Sequence, residues 1–115
     1  MLVFCTLRLA LGLILLLAPD RVLRAAGGRD GGRVPRWIVR LLGARHLAQA
    51  ALVTRRGDAR AVRWGAAVDA THGLSMVALA RSGTRSRRPA AIAAASASAW
   101  TVCGLWLARR LPPRR

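Results

Sequence analysis

Apolar runs of roughly 17 to 20 residues alternate with arginine-rich stretches along this chain, and each run is about the length a helix needs to cross ~30 Å of hydrocarbon. The runs cover about 2–18, 36–53, 62–80 and 90–108, and the arginines gather at 21–36, 55–63, 81–88 and 109–115. This rhythm predicts an all-α protein with a single membrane domain over 1–115. Its architecture is a four-helix antiparallel transmembrane bundle, closed by a basic tail at 109–115.

The breaks between the runs carry turn chemistry. Pro19 interrupts the first helix, Asp20 can cap a new one, and Gly27 and Gly28 end it. Arg21 and Arg24 bracket Val22 and Leu23, which suits a short interfacial helix at the lipid headgroups; the same residues also suit a plain polar loop. "GGRDGGRVP" reads as a flexible connector ending at Pro35, Gly57 and Asp58 mark a tight second turn, and "RSGTRSRRP" marks the third. Trp37 and Trp64 lie near the starts of the second and third runs, where interfacial aromatics belong; Trp100 and Trp106 lie in the fourth.

The run from Leu9 to Ala18 has the length of a signal-peptide core. The residues ahead of Arg8 are apolar rather than basic, however, and no small-x-small cleavage site follows, so the segment is read as a retained helix. Orientation is weakly specified. With the N-terminus inside, arginines divide almost evenly between the two sides, so an inside N-terminus is only a default.

Composition sharpens this picture at two points. Of 115 residues, 54% are hydrophobic, yet the formal net charge is +16. All 20 basic residues are arginine and the four acids are Asp20, Asp30, Asp58 and Asp69. The absence of Lys and Glu beside abundant Ala and Gly points to GC-rich coding bias, so basicity by itself implies no specific nucleic-acid partner. A soluble nucleic-acid binder would also need basic loops with aromatics and no run such as Leu9 to Ala18. Cys5 and Cys103 both sit inside apolar runs and read as small packed hydrophobes; their spans run antiparallel, so a bridge at shared depth stays open.

The candidate chemistry lies inside the spans. An arginine at the centre of a lone membrane helix costs roughly 2.5–3.5 kcal/mol on insertion scales, so Arg45 calls for a partner. Asp69 is the one acid within any run, and Arg45 and Asp69 are each twelve positions from Gly57. A hairpin about that glycine would set them at the same depth. Gln49 shares the face of Arg45, with His46 at its edge. Gly65, Asp69, His72, Gly73 and Met76 share one face of the third span, and Gly43, Gly65 and Gly73 would let helices approach closely.

Two readings of Arg45, His46, Gln49, Asp69 and His72 follow. One is a structural clamp that sets the register of two helices, a role that suits the planar guanidinium. The other is a polar site for a ligand, ion or proton, the basis of a small transporter, channel or proton-coupled module. Arg8 has no second intramembrane acid, so it shares Asp69, snorkels to a phosphate or marks the true start of its span; Arg40 is near enough to a membrane surface to snorkel. The small residues of "SASAWTVCGLW" suggest tight helix packing. One His per helix and one Asp make too few ligands for a metal, and no catalytic residues or cofactor are expected: no phosphate-binding loop, nucleophile elbow, HExxH or CxxC occurs.

The segments "RLALGLILLLAPDRVLRAAG", "RLLGARHLAQA" and "VDATHGLSM", with Gly43, Arg45, His46, Gln49, Asp69, His72, Ser75 and Met76 as their most specific positions, resemble a group of small uncharacterised actinobacterial (mycobacterial-type) four-helix integral membrane proteins. These are distantly DoxX-like in layout. The resemblance covers most of residues 8 to 80 and implies a cell-membrane location and four helices, with no activity. The expectation is a multi-pass inner-membrane protein with a structural or accessory role. Its partners would be the lipid bilayer and a membrane protein or a second copy of itself.

Overall fold

Each apolar run carries its buried positions at helical spacing, and the helices form where that spacing predicts. The computed structural model describes residues 1–27, 34–82 and 87–111. Among these residues every regular element is an α-helix: α1 (Leu2–Leu17), α2 (Pro19–Gly27), α3 (Arg36–Arg56), α4 (Ala59–Arg81) and α5 (Arg87–Arg110). The chain divides into two compact units, Met1–Arg55 and Arg56–Arg115.

In the first unit, α1 buries Cys5, Arg8, Gly12 and Leu15, a single stripe at steps of three and four residues. Ala18 leaves helical geometry (φ −130°, ψ 48°) while its N–H still donates to Ile14 O. Pro19 brings no N–H to continue the ladder but is well suited to open a new helix. The chain therefore turns, and α2 leaves α1 at 97°. Asp20 lies within the first turn of α2 rather than ahead of it, which corrects the expectation that it caps the helix. Its Oδ1 instead takes an ion pair from Arg36 Nε at 2.6 Å, tying α2 to the start of α3.

Antiparallel packing of α3 on α1 follows from the contact series Arg8 with Gln49, Gly12 with Leu47, and Leu16 with Gly43. A Cβ at Gly43 would lie 2.7 Å from Gly12 O and 3.0 Å from Leu15 Cβ. Only hydrogen fits at that crossing, because its nearest obstacle is a backbone atom that cannot rotate away.

In the second unit, Gly57 adopts φ 60°, a left-handed conformation that favours glycine. Asp58 is extended, and its Oδ1 accepts from Ala61 N–H at 2.7 Å, capping α4. In α5 Pro89 sits in the first turn, where its missing N–H breaks no helical bond. Small residues then let α4 and α5 run antiparallel in contact. A Cβ at Gly73 would meet Ala97 Cβ at 3.3 Å, and one at Gly104 would meet Ala66 Cβ at 3.2 Å. Thr101 Oγ1 donates to Ala97 O at 2.8 Å and lies 3.4 Å from Ala66 O on α4. The small-residue stretch of the fourth run thus lies at a helix–helix contact.

The helices α3, α4 and α5 extend beyond the apolar runs into flanking arginines, which are good helix formers in their own right. The glycine-rich connector before Pro35, the turn after Arg81 and the end of the basic tail fall largely at 28–33, 83–86 and 112–115, outside the described residues.

On length and composition, α5 is the one described helix able to cross a membrane unaided, and the bent pair α1 with α2 is a second candidate. With 16 residues α1 is short by itself. Arg40 and Arg45 in α3, and Arg60, Arg63 and Asp69 in α4, keep those two helices from qualifying on hydropathy. Thus the all-α character of the expected bundle is present, with five helices among the described residues.

Candidate functional site: buried polar residues of each unit

The buried core is mainly apolar and most described arginines are exposed, but two charged side chains and several leucines depart from that pattern. Arg8 and Asp69 are among the most completely buried side chains, 1% and 0% exposed, while Leu2, Leu17 and Leu74 are 82%, 79% and 72% exposed. Water would favour the reverse arrangement: it solvates charge strongly and expels apolar surface at roughly 25 cal/mol per Å².

The stripe of α1 that carries Cys5 and Gly12 toward the interior also carries Arg8 there. Its Nη1 donates to Gln49 Oε1 on α3, and its guanidinium lies over the Phe4 ring, 4.9 Å from the centroid. Snorkelling, one of the readings open for Arg8, is thereby corrected: the side chain turns inward because α3 presents an amide oxygen at its level. Arg8 and Gly12 are the residues that sequence reasoning undervalued. The available signal was their four-residue spacing in register with Cys5 and Leu15, a stripe of small and polar residues within an otherwise leucine-rich helix.

On α3, His46 and Gln49 are buried and Arg45 is half-buried. Accepting from Arg8 leaves the Gln49 amide with two N–H donors for other groups. On α4, Asp69 is buried, while His72 and Met76 are half-buried. His46 Nδ1 and His72 Nε2 are both shielded from solvent. None of Arg8, Arg45, His46, Gln49, Asp69 and His72 stands without a partner.

The glycines sort by neighbour. Gly43 faces Gly12 of α1, and Gly73 faces Ala97 of α5, whereas a Cβ at Gly65 would meet no heavy atom within 4 Å. Close approach therefore requires glycine at position 43 and favours it at 73. Gly65 is under no such demand.

At the periphery, Trp37, Trp64 and Trp106 are exposed, and Arg110 covers the Trp106 ring at 4.0 Å from its centroid. Both cysteines are free thiols. Cys5 is packed, but Cys103 is exposed, which corrects its reading as a packed hydrophobe: α5 turns Gly104 and Ala97 toward α4, and Cys103 falls on another face. Among the described residues, no three His, Cys, Asp or Glu side chains gather as a metal site.

No family model, curated protein or solved structure matches this chain.

Proposed function

We propose that this chain is a small multi-pass protein of the cell membrane, with a structural or accessory role, built on a four-helix bundle in which α1, α3, α4 and α5 all span. The observation that carries this reading is that Arg8 and Asp69 are withdrawn from the surface while Leu2, Leu17, Leu74, Trp37, Trp64 and Trp106 are exposed on it. Hydrocarbon surroundings stabilise such an arrangement, since exposed leucine then costs nothing and a charge must find its partner within the protein.

In this reading α3 and α4 span because Asp69 is buried and Arg45 half-buried, while Arg40, Arg60 and Arg63 are exposed toward the helix ends and reach the headgroups. The two helices pair about Gly57 and Asp58, bringing Arg45 to the depth of Asp69, with His46, Gln49 and His72 beside them. The pair acts as a clamp that sets helix register. Partners are the bilayer and another membrane protein or a second copy of this chain. A second reading, a proton-coupled or transport module, is favoured by the shielded nitrogens of His46 and His72, groups that titrate near neutral pH when unperturbed.

Membrane fractionation and topology mapping test the proposal. The full chain should stay in the pellet through an alkaline carbonate wash. In intact cells, Gly57→Cys and Ser82→Cys, each made in a background with Cys5→Ala and Cys103→Ala, should be labelled by a membrane-impermeant maleimide from opposite sides. Release into the wash would overturn membrane insertion, and labelling from one side would overturn the multi-pass topology.

A further inference from the structure

The bend between α1 and α2 creates a concave surface of about 490 Å³, lined by Leu17, Ala18, Pro19, Asp20, Arg21, Arg24 and Arg40. Three arginines and one aspartate line it together with Leu17, Ala18 and Pro19. The carboxylate is already engaged, since Asp20 Oδ1 holds Arg36 Nε at 2.6 Å. That ion pair also orients the site. The pair is solvent-exposed and links the first turn of α3 to α2, and Arg40, one helical turn beyond Arg36, lines the same concavity. Arg21 and Arg24, three apart on α2, enter it from the other helix. The result is a local excess of positive charge, assembled from two helices, with Leu17, Ala18 and Pro19 as its apolar lining.

We propose that Arg21, Arg24 and Arg40 bind a phosphate ester, carried either by an anionic phospholipid or by a soluble phosphate compound. Arginine forks match phosphate oxygens in bidentate pairs, and three of them surround a tetrahedral anion from several directions, which a planar carboxylate exploits less fully. Leu17, Ala18 and Pro19 in the lining suit the glycerol and first methylenes of a lipid, and the sharp bend of α2 away from α1 sets Arg21 and Arg24 at the end of an apolar helix, the level of headgroups. The lipid source rests on the membrane reading above, whereas the phosphate chemistry stands on the concavity alone.

The test uses the full chain in nanodiscs made from equimolar phosphatidylcholine and phosphatidylglycerol. Association of spin-labelled phosphatidylglycerol is measured relative to spin-labelled phosphatidylcholine, with and without added glycerol phosphate. A preference of about fivefold or more for the anionic lipid is expected, from basic groups acting near the headgroup plane. The triple variant Arg21→Gln, Arg24→Gln, Arg40→Gln should bring it close to one, while Arg81→Gln, Arg87→Gln, Arg88→Gln, which removes the same charge elsewhere, should retain most of it. Circular dichroism of each variant confirms that helicity is kept, and Arg21→Lys, Arg24→Lys, Arg40→Lys should give an intermediate preference. Displacement of the lipid by glycerol phosphate assigns the site to soluble esters as well, and lack of displacement assigns it to lipid. Equal loss in both glutamine triples, or retention in the first, would overturn the proposal. A chain that does not insert into membranes at all would refute the membrane reading, and glycerol phosphate binding in solution would then test the arginine site by itself.

Discussion

Arg8 of α1 donates through Nη1 to the Oε1 of Gln49 on α3, so a charge in the first helix is held by a neutral amide in the third. Breaking this bond from either side removes a charge-assisted contact between two buried groups. Arg8→Ala and Gln49→Leu should each destabilise the protein by about 1.5–3 kcal/mol, the range for hydrogen bonds to charged groups. A double-mutant cycle in detergent unfolding should return a coupling energy of about 0.5–3 kcal/mol. Strict additivity would show that the bond contributes no stability.

Glycine-to-alanine substitutions should separate two positions that look alike in the sequence. At Gly43 the new Cβ would lie 2.7 Å from the backbone oxygen of Gly12, so α1 and α3 must move apart, at a cost of about 1–3 kcal/mol. At Gly65 no heavy atom lies within 4 Å of the new Cβ, and alanine should be neutral or stabilising by up to about 1 kcal/mol through its better helix propensity. Thermal midpoints of the two variants, measured side by side, check the ordering.

The proposed clamp of Arg45 and Asp69 predicts a strongly non-additive pair. In that pairing Arg45→Ala deprives the fully buried Asp69 of one partner and should cost about 3–5 kcal/mol, Asp69→Ala should cost less because Arg45 is half-buried, and the double variant should recover a substantial part of the larger loss. A structural clamp predicts that the double variant stays folded and keeps the protein's activity. A transport site predicts a well-folded double variant without activity.

The start of α4 offers an independent check on local structure. Asp58→Ala removes the carboxylate that accepts from Ala61 N–H at 2.7 Å and should cost about 1 kcal/mol. Gly57→Ala places a Cβ on a residue with φ 60° and should cost a further ~1 kcal/mol. Asp58→Asn or Asp58→Ser should restore most of the first loss, as measured by unfolding midpoint.

Thiol accessibility should divide the two cysteines. In mild detergent Cys103 should react with N-ethylmaleimide well before Cys5, because one is exposed and the other buried. Denaturation should make their rates similar, and mass spectrometry of the labelled peptides reports both. Equal rates in the folded state would contradict the packing of α1.

Periodicity in the sequence determined where helices form. Spacings of three and four among small, apolar and occasional polar residues exist before any folding, and Pro19, Gly57 and Asp58 punctuate them through constraints of their own backbones. Those constraints are local, so the short helix after Pro19 and the turn ahead of Ala59 were legible, as was the dense small-residue face of the fourth run. Helix ends were less so, since hydropathy marks depth in hydrocarbon whereas α3 and α5 continue through arginines that favour helix just as well. Tertiary structure alone decided which groups meet. Arg8 found Gln49, Gly43 found Gly12, Gly73 found Ala97, and Cys103 was left outside. Each outcome depends on how one helix is rotated against another, a quantity set by the summed packing of whole faces and encoded by no single spacing in the chain.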